Sequence, residues 1–282
     1  MVLLDGREAK AKLVEELKNK ISKLDRRLGL SVIQIGDDLA SNVYVRSKER
    51  MAKELGLNFN HIKFDENVDE NEVLSLVNDL NNNDLVDGII IQKPLPSNLN
   101  YEKIINAISP YKDIDGLTDI SIGKLAHGND CLVSCTAIGI LDLLNFYNID
   151  ISLKNVVIVG RSDLVGRPLF LLLTNKDATV TLCHSKTSNL KEITRKADIL
   201  IISAGVPKFI NKDLVKDGAI VIDVGINRGI DGLVGDVDFD SVKDKVSYIT
   251  PVPGGVGPMT VYEVVNNVYK AYTLKKEKFN DR

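Results

Sequence analysis

Apolar residues recur at fourfold spacing through Ala9, Leu13, Leu17 and Ile21, the signature of one helix face, and Asp5 stands where a cap belongs. A helix is predicted from there to about Leu24. A strand-like run at 30–35 follows, then a helix from about Leu39 that closes at Gly56, a residue suited to the left-handed conformation after a helix end. Strand 59–64, helix 71–80 and strand 88–92 continue the alternation. That βαβ rhythm predicts a parallel sheet with helices on both faces. After a helix at 137–147 a second series begins, with short apolar runs at 156–159, 179–183, 199–203 and 219–224 of the kind found in strands buried on both sides. A last helix is expected from about Pro258 to Lys276. The expected architecture is α/β with two domains, each a mostly parallel sheet flanked by helices. Residues 1–137 with the C-terminal helix 259–282 form the first domain, and 138–258 form a Rossmann-type second.

A length of 282 residues suits two such domains. The net charge of -3 provides no basic field for nucleic acid or an anionic membrane, and no apolar run approaches the roughly 18 residues of a membrane span. The N-terminus mixes acid and base within its first eight residues, unlike a secretory signal, so a cytoplasmic location is expected. Three cysteines, Cys131, Cys135 and Cys183, are too few for a disulfide framework and wrongly spaced for zinc. They are expected to be buried as small hydrophobes, and no metal is expected.

Residues 156–168, Val-Val-Ile-Val-Gly-Arg-Ser-Asp-Leu-Val-Gly-Arg-Pro, read as a buried strand, a glycine turn and a helix start. A helix N-terminus presents free N–H groups and a favourable dipole to a phosphate. Gly160 is in place for a dinucleotide fingerprint, although Ser162 replaces the second glycine and Gly166 comes one residue late. The acid that would mark NAD, due at the end of the next strand, is replaced by Cys183-His184-Ser185-Lys186. A carboxylate there would repel a 2′-phosphate, whereas Arg161, Ser185 and Lys186 could bind one. The expected cofactor is NADP.

Ser41, Tyr44 and Lys48 share one face of the predicted helix at 39–56, so an aromatic ring and an amine project side by side. Gln92 ends a buried strand and precedes Lys93-Pro-Leu-Pro96, and ligands of parallel sheets lie beyond the carboxyl ends of strands. Asp115 lies in an Asp-Gly turn within Lys112-Asp-Ile-Asp-Gly116. Residues 250–260, Thr-Pro-Val-Pro-Gly-Gly-Val-Gly-Pro-Met-Thr, pack three prolines and three glycines into a stretch expected to be a rigid, close-fitting loop. These motifs, together with Gly160-Arg-Ser162, Cys183-His-Ser185 and Asp223-Val-Gly-Ile-Asn-Arg228, occur in the order of the methylenetetrahydrofolate dehydrogenase/cyclohydrolase family. The resemblance spans nearly the whole chain.

The resemblance implies a small-molecule folate substrate, NADP, a homodimer and an active site in a cleft between the domains. Lys48 resembles the family's general acid/base, Tyr44 the ring stacked on the folate, and Gln92 the partner orienting the lysine amine. Asp115 is similar to the carboxylate that accepts hydrogen bonds from the pterin. Pro251, Gly254 and Gly255 match the loop over the substrate, and Gly160, Arg161, Ser162, Ser185, Ile226 and Thr260 match NADP positions. The chain departs from the family pattern at Ser134 and Ala137, where proline is usual, at Lys93, where leucine is usual, and at Tyr262, where alanine is usual. None of these removes a catalytic group. Rival readings are another two-domain NADP dehydrogenase, such as one acting on shikimate, and a nucleotide-sensing module without catalysis.

Overall fold

The computed structural model describes residues 1–229 and 232–280. They divide into two compact units, Leu13–Cys135 with Val261–Arg282, and Met1–Lys12 with Thr136–Thr260. Numbered along the chain, β1 (Val2–Leu3) and α1 (Gly6–Ile21) come first. The Asp5 carboxylate accepts hydrogen bonds from Arg7 N at 2.7 Å and Glu8 N at 3.3 Å, so it caps α1 as expected.

In the first of these units β2 (Gly29–Ile35) is the centre of a three-stranded parallel sheet, between β3 (Asn58–Phe64) and β4 (Gly88–Gln92). All seven residues of β2 are buried, which explains its unbroken run of non-charged side chains. Between strands run α2 (Leu39–Glu54), capped by Asp38, and α3 (Glu70–Asn82), capped by Asp69. Val73, Val77 and Leu80 of α3 share a core with Ile33, Ile35, Ile89 and Ile91 of the sheet. Two short helices, α4 (Tyr101–Asn106) and α5 (Asp119–Ala126), follow β4 and lead towards α6 (Cys135–Phe146).

The other unit holds β5 (Asn155–Val159), α7 (Gly166–Thr174), β6 (Thr179–Cys183), α8 (Leu190–Thr194), β7 (Ile199–Ile202) and β8 (Ile220–Asp223). A small hairpin of β9 (Asn227–Gly229) and β10 (Gly232–Val234), then α9 (Phe239–Val242) and β11 (Tyr248–Ile249), lead to α10 (Val256–Asn280). The main sheet is parallel, in the order β1-β11-β8-β7-β5-β6. Strand order reverses at β5, the switch point at which such sheets open a crevice for a ligand.

Two sequence expectations change. Residues 1–12 were expected with the first domain, but β1 pairs with β11 in the six-stranded sheet, Val2 opposite Tyr248 and Leu3 opposite Ile249. The proline–glycine stretch is a loop only to Gly255. Gly257, Pro258, Met259 and Thr260 already belong to α10. A proline is tolerated in a helix's first turn because its missing N–H has no intrahelical partner there.

Candidate active site

Helix α2 and the end of β4 bring three of the expected residues together. Lys48 Nζ donates to Gln92 Oε1 at 3.0 Å. The other end of that amide, Nε2, donates to the Lys93 carbonyl at 2.8 Å, and the same carbonyl accepts from Ser41 Oγ at 2.9 Å. Ser41 is in turn held by Asp38, which accepts from its N–H at 2.7 Å and its hydroxyl at 2.9 Å. The helix cap and the lysine's partner thus belong to one connected network. Ser41 is buried, whereas Tyr44 on the same face is 44% exposed. Tyr44 thus offers a half-open aromatic ring one helical turn before the tethered Lys48 amine. Lys93 points elsewhere, its Nζ 3.7 Å from the centre of the Tyr101 ring.

Asp115 occupies the tight turn expected for it. Gly116 N donates to Asp113 O at 2.9 Å, and Gly116 has φ +60, a conformation in which glycine carries no side-chain penalty. The neighbouring Asp113 faces inward and accepts from Leu117 N at 3.1 Å, Thr118 N at 2.8 Å and Ser121 Oγ at 2.7 Å. Burial raises its carboxyl above the usual range, and these hydrogen bonds oppose that. Cys135 is also close to Asp115. Burial pushes its thiol well up, Asp115 and Glu263 add to the shift, and Lys48 works against it. Lys48, Asp115, Cys135 and Glu263 therefore share one electrostatic neighbourhood within this unit. All three cysteines are buried, and among the described residues no group of His, Cys, Asp or Glu side chains is arranged to hold a metal ion.

The other unit carries the expected cofactor residues. Gly160 follows β5 with φ +127, and a Cβ there would run into the Ser203 carbonyl beyond β7. Gly166 is pressed equally closely against the Gly160 carbonyl. The two glycines therefore allow the turn after β5 to pack against the start of α7, the geometry a pyrophosphate needs for close backbone approach. Ser162 Oγ accepts from Val165 N at 3.2 Å and its carbonyl from Arg167 N at 3.1 Å, so this serine shapes the turn. Gly160 N donates to Cys183 O at 2.9 Å, which ties the Arg161 turn to the end of β6. Beyond that end, Ser185 lies in a turn closed by Thr187 N donating to His184 O at 2.8 Å. Arg161 and Ser185 thus leave adjacent strand ends.

Ile226 is 47% exposed, in the loop after β8. That loop is held by Asp223, which accepts from Gly225 N at 3.0 Å, Asp236 N at 2.9 Å and Val237 N at 2.9 Å. The 250–255 loop is fixed from both ends. Thr250 Oγ1 accepts from Asp223 N at 2.7 Å, Gly255 N donates to Pro251 O at 2.8 Å, and Gly6 N donates to Gly254 O at 2.9 Å. Thr260 donates to Thr136 Oγ1 at 3.3 Å.

The strand-end glycine turn and the Lys48–Gln92 pair are accompanied by matches to known proteins. Residues 4–115 match the model of the tetrahydrofolate dehydrogenase/cyclohydrolase catalytic domain, and 134–276 that of the family's NAD(P)-binding domain. The chain belongs to the tetrahydrofolate dehydrogenase/cyclohydrolase family. A bifunctional protein FolD of Sulfurihydrogenibium sp. is 49% identical over 282 residues, covering 98% of this chain and 99% of the relative. The crystal structure of the Campylobacter jejuni FolD dehydrogenase/cyclohydrolase is similar with a TM-score of 0.95 at 44% identity, covering 98% of this chain and 99% of that one. The Trypanosoma brucei FolD, solved with NADP cofactor and an inhibitor, has a TM-score of 0.92 at 35% identity, with 98% of each chain covered.

Family membership accounts for the motifs quoted from the sequence, but several residues around Lys48 and Asp115 carry little signal of their own. Ser41 is marked only by its helix face, and Asp113 only by the motif around Asp115. Glu263 and Asn267 gave no sequence signal beyond being polar residues in a largely apolar helix.

Proposed function

We propose that the chain oxidises 5,10-methylenetetrahydrofolate to 5,10-methenyltetrahydrofolate with NADP and hydrolyses the product to 10-formyltetrahydrofolate, using Lys48 as general acid/base. The observation that carries this reading is the 3.0 Å hydrogen bond from Lys48 Nζ to Gln92 Oε1. The amide orients the amine without adding charge, so the amine remains able to exchange a proton. Tyr44, half exposed beside it, offers a face for the planar folate, and Asp115 supplies acceptor oxygens for the pterin's N–H groups.

In the first reaction a hydride leaves the methylene carbon and a methenyl cation remains. Water then adds to that carbon, loses a proton, and the bond to one folate nitrogen breaks as that nitrogen gains a proton. Lys48 is suited to both proton movements, since one group can accept from oxygen and return to nitrogen. NADP, when bound, supplies the hydride acceptor. Gly160, Arg161, Ser162, Ser185, Ile226 and Thr260 would hold it, with Arg161 and Ser185 serving the 2′-phosphate. Pro251, Gly254 and Gly255 would border the substrate.

We place the folate-binding catalytic role on the unit containing Lys48. Further parts of the reading are a homodimer, a cytoplasmic location, and delivery of 10-formyltetrahydrofolate to purine biosynthesis. They draw on the sequence resemblance, the formyl chemistry and the absence, among the described residues, of a helix long and apolar enough to cross a membrane. The test is an absorbance assay with methylenetetrahydrofolate, following NADPH and methenyltetrahydrofolate together. Neither product forming above the uncatalysed rate would end the proposal, and light scattering at 31.1 kDa would end the dimer.

A further inference from the structure

Asp115 has no backbone ladder to hold it, so its aim depends on the peptide plane that precedes it. The Ile114 carbonyl and the Asp115 N–H lie in that one plane. Whatever grips the Ile114 oxygen therefore sets the direction in which the Asp115 side chain leaves the main chain. That oxygen accepts from Asn267 Nδ2 at 2.8 Å and from Cys135 Sγ at 3.5 Å. Asn267 Nδ2 also donates to the Val133 carbonyl at 2.8 Å. Its two hydrogens thus join the Asp115 turn to the segment running into α6.

The site has little freedom to choose otherwise. Asn267 is 2% exposed, so water cannot replace a lost donor without entering a packed interior. Gly116 backs onto the same segment, and a Cβ there would stand 2.7 Å from Leu132 O and 2.9 Å from Ser134 N. On the other side, Ile114 is fully buried, with Val268, the residue after Asn267, close to the same glycine, Gly88, that Ile114 covers. The turn is thus clamped by packing on two sides, while the Asn267 amide makes the shorter of the two hydrogen bonds that fix the plane between them.

We infer that Asn267 is a positioning residue for the folate-binding carboxylate, holding the Asp115 peptide plane through the Ile114 carbonyl. The inference rests on the assignment of Asp115 to the folate made above. Asn267 touches no substrate in this role. It acts through Asp115, and its loss lets the plane rotate and the carboxylate lose its alignment.

The test measures kcat and KM for methylenetetrahydrofolate and NADP in the wild type, Asn267→Ala, Asn267→Ser, Asp115→Ala and the Asn267→Ser/Asp115→Ala double variant, alongside thermal unfolding. Asn267→Ala is expected to raise the folate KM by about tenfold or more, the scale of one or two buried hydrogen bonds, with the NADP KM within about twofold. Asn267→Ser keeps one hydroxyl donor and is expected to recover part of that loss. Should the alanine variant not fold, the serine variant carries the same comparison. In the double variant the folate KM should equal that of Asp115→Ala, because the serine can then misplace nothing. A drop in unfolding temperature with an unchanged folate KM, or effects that simply multiply in the double variant, would overturn the inference while leaving Asp115 in its role. An unchanged folate KM in Asp115→Ala would remove Asp115 from the folate and this inference with it.

Discussion

Two lysines in the same unit, Lys112 buried and Lys48 half-buried, illustrate opposite uses of an amine. Lys112 is 4% exposed and donates to three backbone carbonyls, Leu80 O at 2.8 Å, Asn81 O at 2.7 Å and Asn83 O at 2.8 Å. These carbonyls lie at and just beyond the end of α3, where a helix leaves acceptors unsatisfied. Burial pushes Lys112 down to about 8, yet all three of its hydrogens are committed to holding main chain. Lys48 instead donates to the neutral Gln92 amide, one helical turn from the half-exposed Tyr44. A shifted ionisation marks burial. Chemistry requires a group with bonding capacity left for a substrate.

Lys48→Met is the strongest challenge to that contrast, since it keeps the apolar stem and removes the amine. A positioned acid/base contributes about 10²- to 10⁴-fold. The cyclohydrolase step should fall by that much, further than the dehydrogenase step, and methenyltetrahydrofolate should accumulate. Hydrolysis at near wild-type speed in a folded variant that binds NADP would take the catalytic role away from Lys48.

Lys112→Met should do the reverse. It leaves three carbonyls without their donor in a dry interior, a loss of about 3 kcal/mol in folding free energy. Activity per folded molecule should stay near wild type. Denaturant unfolding and active-site titration separate the two quantities. A cyclohydrolase rate that collapses in a fully folded Lys112 variant would erase the distinction between the two lysines.

The same distinction explains what could be read from the sequence. β2 and β4 are legible because strands covered on both faces leave uncharged, largely apolar runs. β1 and β11, two residues each, carry no period, so the sequence does not reveal that they pair. Lys48, Gln92 and Asp115 stood out through their motifs. The groups that hold them did not, because the sequence does not reveal that Ser41 and Gln92 meet on the Lys93 carbonyl, or that Asn267 reaches Ile114 from 153 residues away. Lys112, Asp113 and Asp115 read as one motif, and only burial separates Lys112 and Asp113, which are spent on bonds inside the unit, from the less buried Asp115.

In the other unit the comparison becomes one between Asp223 and Arg161. Asp223 is buried with its carboxylate spent on three backbone N–H groups, whereas Arg161 is exposed beside Gly160. Arg161 should therefore carry discrimination between cofactors. A charge-assisted hydrogen bond contributes about 1.5 to 3 kcal/mol, so NADP should be preferred over NAD by about ten- to hundredfold in kcat/KM. Arg161→Ala should remove most of that preference. Equal use of both cofactors by the wild type would show that the arginine serves something else.

The smallest effect concerns the proton on Lys112. Its folded value of about 8 lies below the ordinary 10.5. Below pH 8 both states carry the proton and stability does not depend on it. Between about 8 and 10.5 the unfolded chain holds a proton that the folded chain has released, so stability rises with pH across that window. Three carbonyl acceptors oppose the release by favouring the ammonium, and this reduces the gain. Lys112→Met has no proton to lose, so the stability gap between wild type and variant should widen as pH rises from 8 to 10. Urea unfolding of both proteins at pH 7, 8, 9 and 10 measures that gap. If it stays constant, the carbonyls outweigh burial, and Lys112 remains a charged helix cap throughout.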